Sequence, residues 1–410
     1  MNFPPSSPAQ RNLFLLACCQ AVGQASNTMM FTATALSVVT FMTDRELATL
    51  PITLRHLGIM LSVFPAAMLM QRLGRRFGFQ LGSITGMFGA GCSAIGLYHA
   101  NFPLMCLGGL ILGYSTANLQ MYRFAAVELA PGDMRAKAIA WVTSGGVVAG
   151  ILGPGLARLT HDQFVPLYLG TYMAMVVLHM IVFTIMAFIR FPPPVGAPRS
   201  AGPAGADQAV PAQEPPRPLW VIASQPRFFV AAIAAMIAYG TMSFLMSASP
   251  LAIVGCGLPH TEAHWVIFMH VMGMFVPSFF SGNLIQRFGV TTVMLWGIAL
   301  LLTGVAAGLM GMTEWHFRIA LTVNGVGWNF LFVGATTLVS TTYRPSERGK
   351  TQALNDFLVF GTTATASFFA GLLQERVGWF SLNWFSLVLV AIALLAVSWL
   401  RLQRPRDAMA

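Results

Sequence analysis

Two short patterns of methionine and histidine combine residue types that can bind a soft metal ion. Met242 and Met246 are four residues apart, and His270 and Met274 repeat this spacing further along the chain. Side chains four residues apart lie on the same face of a helix. Thioether sulfur is a soft ligand and imidazole a borderline one, so a site that combines them without carboxylate or thiolate favours Cu(I).

The chain that carries these residues has the composition of a membrane protein. Of its 410 residues, 56% are hydrophobic and 9% are charged, whereas soluble domains carry about 25% charged residues. These values exclude a single soluble core, a disordered chain and a disulfide-rich secreted domain. The 25 methionines outnumber the 23 lysines and arginines together, and we expect most of them to be adaptable filler in apolar helices.

Twelve apolar segments follow one another, each about as long as a membrane-spanning helix. Residues 191–226 separate the sixth from the seventh and are rich in Pro, Ala and Gly, which predicts a flexible linker in the cytoplasm. We therefore expect an all-α membrane protein with a six-helix bundle in residues 1–190 and another in 227–410. The segments lie at about 13–42, 52–70, 77–98, 103–129, 137–160, 166–190, 227–254, 261–285, 290–311, 317–342, 351–374 and 379–400.

The two halves of the chain repeat each other. The sequence QRLG at 71–74 ends the second segment, and the sequence QRFG at 286–289 ends the eighth. Arg72 and Arg287 are thus equivalent positions, and we call the separation between them the repeat offset. Such repeats predict two pseudo-symmetric bundles that rock about a site near the bilayer midplane.

The basic residues predict the orientation of the chain in the membrane. Most of them fall on the side of the termini and the linker, which places that side in the cytoplasm. The basic residues that this assignment leaves on the outer side are Arg45, Arg55, Arg158, Arg318 and Arg376.

The net charge of +10 does not indicate nucleic-acid binding, because the basic residues form short clusters between apolar segments. The five cysteines form no CxxC pair and predict no disulfide framework. The chain also contains no HExxH, GxxxxGK[ST] or GxSxG motif, so we expect neither an enzyme nor an ATP-driven pump. We expect a monomer in the inner membrane of a bacterium, surrounded by lipid, with copper as its substrate and no cofactor.

The two metal-binding patterns are expected near the centre of the bilayer. The seventh and eighth segments are joined by a short outer loop, and Met246 and His270 lie at similar distances from it. Met242 and Met274 form a second level about one helical turn deeper, at about 1.5 Å per residue. A histidine at this depth needs a partner and is a functional candidate. The alternative is that His270 bonds a neighbouring helix while the methionines only pack.

Other residues are candidates for auxiliary metal binding or for gating and structural roles. The auxiliary metal candidates are Met272, Met175, His179, Cys256 and His264. For Met175 and His179 the alternative is packing, and for the residues near the outer loop it is solvation. The candidates for gating or structural roles are Arg72, Arg75, Arg123, Glu128, Arg287 and Asp356. Asp356 lies near the start of the eleventh segment. This position favours a role as an electrostatic partner of the helix dipole over a role as a proton carrier.

The loop sequence MQRLGRRFG at 70–78 resembles the motif between helices two and three of the major facilitator superfamily. Gln71 and Ala67 stand where the usual pattern has Asp and Gly. The sequence GGVVAGILGPGLA at 145–157 resembles the Gly-Pro motif of the fifth helix in some exporters. The resemblance implies that Glu128 pairs with Arg72 or Arg75 to close an inner gate.

The paired MxxxM and HxxxM patterns resemble the CcoA-type copper importers, a bacterial branch of this superfamily that supplies copper for haem–copper oxidase assembly. Met236 stands where that branch has a further functional methionine. The resemblance implies copper import through Met242, Met246, His270 and Met274. Two alternatives remain open: a proton-coupled exporter of organic cations or metabolites with the same fold, and a membrane scaffold or sensor without transport.

Overall fold

The computed structural model describes residues 8–130, 135–191, 217–344 and 347–403, and nearly all of them are helical. The first half contains α1 (Pro8–Val38), α2 (Leu50–Leu73), α3 (Arg75–Tyr98), α4 (Phe102–Gln120), α5 (Tyr122–Leu129), α6 (Arg135–Thr160) and α7 (Leu169–Phe188). The second half contains α8 (Leu219–Ala223), α9 (Pro226–Gly255), α10 (His260–Phe275), α11 (Ser278–Phe288), α12 (Val290–Met310), α13 (Glu314–Ser340) and α14 (Arg348–Leu402).

These helices form the twelve membrane spans that the sequence predicts. Nine helices in the described residues are long and apolar enough to cross a membrane, and α10 with α11 adds a tenth span that is bent by 40°. Helix α14 is 55 residues long and divides into two spans at Gly378, where φ is 74° and ψ is 179°. Such a positive φ favours glycine. Helix α1 has 31 residues and completes the set, although its Gln, Asn, Ser and Thr side chains make it less apolar.

The bundles each consist of six spans and contact each other through equivalent helices. The first bundle contains α1–α7 and the second contains α9–α14. Between them α2 packs on α14, and α6 packs on α10. Most of the predicted linker, residues 192–216, lies outside the described residues. The end of that segment holds the short helix α8.

Glycines bring equivalent helix pairs into close contact in the two bundles. A Cβ atom on Gly113 of α4 would lie 2.6 Å from the Cα of Gly58 on α2. In the second bundle, a Cβ atom on Gly325 of α13 would lie 3.2 Å from the carbonyl carbon of Gly273 on α10. The repeat offset also separates Gly58 from Gly273, so the two glycines are equivalent positions. Small residues thus permit the same backbone approach in both halves.

The connections between spans fall on two faces of the molecule. The face that we call the linker face carries Arg217, whose Nη2 atom lies 2.7 Å from Oε2 of Glu347. The hydrogen bonds from Arg217 hold the pKa of Glu347 well below its usual range. The opposite face carries the loops 39–49, 161–168 and 256–259.

Candidate functional site

A central cavity of about 210 Å³ lies between the two bundles. Helices α1, α2, α4, α5 and α6 line it from the first bundle, and α9, α10, α11, α13 and α14 line it from the second. Both repeats therefore contribute side chains to the cavity.

Contacts between the bundles close the cavity on the opposite face. Arg376 donates hydrogen bonds from Nε and Nη2 to the two carboxylate oxygens of Glu46, at 2.8 and 2.9 Å. The hydroxyl of Tyr168 lies 2.7 Å from Nδ1 of His260. Deeper in the molecule, Thr49 donates a hydrogen bond of 2.8 Å to the carbonyl oxygen of Ser367.

On the linker face, by contrast, the ion pairs among the described residues stay within one bundle. Arg75 pairs with Glu128 inside the first bundle, with 2.6 Å between Nη2 and Oε1. The contact of Arg217 with Glu347 likewise involves only the second half of the chain. Arg348 of the second bundle does lie over the ring of Phe124 of the first, 5.7 Å from its centroid. Among these ion pairs, the one that joins the two bundles therefore lies on the opposite face.

We expect the Glu46–Arg376 ion pair to contribute modestly to the closed opposite face. The two side chains are 31% and 61% exposed, and solvent screening makes the contribution of exposed ion pairs small. Glu46→Gln should therefore shift the equilibrium between the closed and open opposite face by at most about fivefold. Labelling of a cysteine introduced at Ala48, which is buried in the same loop, would measure that shift.

The double variant Glu46→Arg with Arg376→Glu is the matched control, because it restores an ion pair of reversed polarity. The hydrogen bonds from Arg376 lower the pKa of Glu46. This contribution is therefore complete above the ordinary carboxyl pKa of 4.5 and is lost as the pH falls through the lowered value. A labelling shift much larger than fivefold in Glu46→Gln would contradict the assignment.

Four aromatic side chains form one wall of the cavity. Trp328 and Phe332 lie one helical turn apart on α13 and stack with their ring centroids 5.2 Å apart at an interplanar angle of 14°. Tyr239 of α9 meets them edge-on, at 5.1 and 4.7 Å. Phe360 of α14 lies 5.8 Å from Tyr239. We call Tyr239, Trp328, Phe332 and Phe360 the aromatic wall, which offers flat apolar surface to a ligand.

Amide side chains form the other wall, on the first bundle. Gln20, Gln24 and Asn27 follow one another at helical spacing on α1 and all line the cavity. The Oδ1 atom of Asn27 has no hydrogen-bond partner among the described residues, and neither has Oδ1 of Asn329 on the second bundle. Amides both donate and accept hydrogen bonds. The cavity thus presents polar groups to a ligand on one side and aromatic rings on the other.

The structure brings three of the predicted metal ligands to this cavity. Met242, Met246 and Met274 are buried and all line it. His270 is fully buried but lies outside the lining, because its Nδ1–H group donates a hydrogen bond of 2.7 Å to the carbonyl oxygen of Leu321 on α13. Helix α10 packs mainly against α13 and α6 rather than against α9. Met246 and His270, which the sequence predicts to form one level of the site, therefore do not meet in this conformation.

The remaining predicted metal ligand, Met236, and the auxiliary metal candidates are dispersed. Met236 packs against the core of the second bundle, and Met272 packs against α6 at Gly150. Cys256 is exposed at the end of α9, where partial burial still raises the pKa of its thiol. His264 is buried, and its ring centroid lies 5.3 Å from that of His161.

The remaining two auxiliary candidates lie inside the first bundle. Met175 and His179 line a small polar cavity there, and Nε2 of His179 lies 3.1 Å from the hydroxyl of Ser26. Among the described residues, no group of three or more His, Cys, Asp or Glu side chains is placed to hold a metal ion. The auxiliary candidates therefore do not form a joint site.

The gating candidates differ in their placement. Arg75, rather than the exposed Arg72, forms the expected contact with Glu128. Arg287 is exposed at the end of α11. Arg123 and Asp356 line one small cavity from opposite bundles, next to the central cavity.

The helix-dipole role predicted for Asp356 is wrong. Helix α14 begins at Arg348, so Asp356 lies beyond its first turn. The dipole effect falls off within the first turn of a helix. Asp356 instead lines the small cavity next to the central cavity, where the cation across from it is Arg123.

Sequence reasoning missed Arg55, which it assigned to the outer side. Arg55 lies in the second turn of α2, is 2% exposed and lines the central cavity. One signal in the sequence pointed to it, because the repeat offset separates Arg55 from His270. Arg55 in the first half is thus the equivalent position of His270, the predicted metal ligand in the second half.

Comparisons with known proteins agree with this architecture. A sequence profile of the Major Facilitator Superfamily matches residues 13–254 and 231–410. A riboflavin transporter of Brucella anthropi is 38% identical over 379 residues, which are 92% of this chain and 92% of that protein. An uncharacterized MFS-type transporter of Bacillus subtilis is 26% identical over 386 residues, covering 91% of this chain and 88% of the relative.

The fold also matches a solved structure. A bacterial homologue of the human lysosomal transporter Spinster, in an inward-facing and unoccupied conformation, is similar with a TM-score of 0.67. The match covers 97% of this chain and 98% of the other, at 17% sequence identity. At this identity the match shows a shared fold.

Proposed function

Because the chain belongs to the Major Facilitator Superfamily and is a multi-pass membrane transporter, we propose that its substrate is a planar, polar heteroaromatic solute of the flavin type. The observation that carries this proposal is the two-sided cavity, with the aromatic wall on one bundle and amide side chains on the other. The 38% identity to a riboflavin transporter supports it.

The chemistry of a flavin fits both walls. Its ring system is flat and has an apolar dimethylbenzene edge, so it can stack on the aromatic wall. Its imide edge alternates carbonyl oxygens with an N–H group, and its side chain carries hydroxyl groups. The amides of Gln20, Gln24 and Asn27 supply the donors and acceptors that such groups require. Stacking would provide affinity, and the amides would orient the solute.

Alternating access would carry the solute across the membrane. We assign the linker face to the cytoplasm, since its basic clusters follow the positive-inside pattern of an inner-membrane protein with both termini in the cytoplasm. We then infer that the cavity opens inward in the conformation described above, because the contacts of Glu46 with Arg376 and of Tyr168 with His260 close its outer side. Breaking the contacts between Glu46 and Arg376 and between Tyr168 and His260 would open the outer side. Ion or substrate gradients would supply the energy.

Copper is the second candidate substrate. Met242, Met246 and Met274 line the same cavity, and thioethers are soft ligands that favour Cu(I). The position of His270, which bonds Leu321 on α13, leaves this set without an imidazole in the cavity. The similarity to a riboflavin transporter also favours an organic metabolite over a metal ion.

Transport by purified protein in lipid vesicles would decide between the two substrates. We expect saturable uptake of radioactive riboflavin that excess unlabelled riboflavin abolishes and silver ion, a mimic of Cu(I), leaves unchanged. Empty vesicles and vesicles with heat-denatured protein are the controls. Riboflavin uptake equal to that of empty vesicles, together with silver-sensitive copper uptake, would overturn the flavin proposal and support copper.

A further inference from the structure

Arg55 carries a permanent positive charge inside a membrane span. A guanidinium group stays protonated in proteins, and Arg55 is only 2% exposed. Among the described residues no Asp or Glu forms an ion pair with it. Its Nε and Nη1 atoms also have no hydrogen-bond partner there. Because an uncompensated buried ion costs several kcal/mol, this charge requires an anion.

The contacts that Arg55 does make are with neutral groups. Its Nη2–H donates to Nε2 of His56 at 3.1 Å. The other ring nitrogen of His56 lies 3.1 Å from the hydroxyl of Ser367. Because arginine can only donate, Nε2 of His56 must accept, and the imidazole is neutral. The guanidinium also lies 4.5 Å from the ring centroid of Phe31, and such a contact contributes about 0.5–2 kcal/mol. Neither partner supplies a negative charge.

A small polar cavity inside the first bundle adjoins Arg55. Its polar lining consists of neutral side chains apart from Arg55, and the structure places no acidic side chain from the described residues in it. The neutral polar lining residues are Ser26, Asn27, Ser83, Ser115, Thr116, Asn118, Tyr122 and His179. The cavity has room for a species about the size of a water molecule.

We propose that this cavity is a binding site for a small monovalent anion, of which chloride is the physiological example. The anion would accept hydrogen bonds from Nε and Nη1 of Arg55 and neutralise its charge. The hydroxyls of Ser83 and Thr116 already donate to backbone carbonyl oxygens, so Arg55 is the principal donor to the anion. A cavity of about 20 Å³ is too small for an organic carboxylate. The site stabilises the first bundle and does not depend on which solute the central cavity carries.

Thermal unfolding of the full-length protein in detergent, without any transported solute, tests this site. The midpoint is measured in sodium chloride, sodium bromide and sodium gluconate at equal ionic strength. We expect chloride and bromide to raise it saturably by about 2 °C or more over gluconate, which is too large to enter. Equal midpoints in the three salts would overturn the proposal.

Two variants test whether the halide effect on the unfolding midpoint arises at Arg55. Arg55→Gln should abolish the difference between halide and gluconate, whereas Arg376→Gln, which removes one surface charge, should keep it. A halide effect that persists in Arg55→Gln would also overturn the site. If Arg55→Gln does not fold, anomalous diffraction from wild-type crystals soaked in bromide decides: a peak beside Arg55 supports the site, and no peak there overturns it.

Discussion

Replacing Trp328 by alanine is expected to weaken flavin binding about tenfold to a hundredfold. Alanine substitution of an aromatic residue that stacks on a nucleic-acid base costs about 1–3 kcal/mol, and a flavin presents a larger flat surface. Trp328 forms the centre of the aromatic wall, stacked on Phe332 at 5.2 Å and in contact with Tyr239 at 5.1 Å. Quenching of flavin fluorescence on titration with purified protein measures the dissociation constant.

Two matched variants make this prediction specific. Trp328→Phe keeps a flat ring and should retain most of the affinity. Trp296→Ala makes the same deletion on α12, where the indole ring is partly exposed outside the cavity and lies 5.0 Å from the ring of Phe288. We expect it to bind flavin like the wild type. Unchanged affinity in Trp328→Ala, with a folded protein, would contradict the role of the aromatic wall.

The fold follows from the sequence because it depends on features that are local or repeated. Twelve apolar segments and the repeat of the QRLG sequence as QRFG in the second half predict two bundles of six spans, as the structure has them. The break inside the eighth span, where Pro277 separates α10 from α11, was missed because it depends on backbone geometry. The boundary between the eleventh and twelfth segments was predicted, but the single residue Gly378 forms it without a loop. Hydropathy does not distinguish such a kink from a connecting loop.

The site was less predictable, because it depends on which faces meet across the bundles. Spacing placed Met242 and Met246 on one face of α9, and that face does line the cavity. The orientation of His270 toward Leu321 is set by the packing of α10 on α13, which lies far along the chain. The aromatic wall joins α9, α13 and α14, and in a chain with 31 phenylalanines nothing local distinguishes Phe332 from a lipid-facing ring.

Replacing Gly113 by leucine is expected to prevent most of the protein from folding. A Cβ atom at this position would lie 2.5 Å from the carbonyl oxygen of Arg55 and 2.6 Å from the Cα of Gly58. Because both neighbours are backbone atoms, α2 and α4 must move apart to admit any side chain. Overpacking commonly costs about 1–3 kcal/mol and occasionally more, and a whole leucine between two backbones belongs at the upper end. Size-exclusion chromatography of a fluorescent fusion would measure the folded fraction.

Gly91→Leu is the matched control, since Gly91 lies on the neighbouring helix α3 and a Cβ atom there would have no neighbour within 4 Å. Leucine favours a helix over glycine by about 1 kcal/mol, so Gly91→Leu should fold at least as well as the wild type. A normal folded fraction in Gly113→Leu would mean that α2 and α4 tolerate separation. The same separation would displace Arg55 from both cavities, so any folded fraction of Gly113→Leu should also lose the halide-dependent shift in its unfolding midpoint.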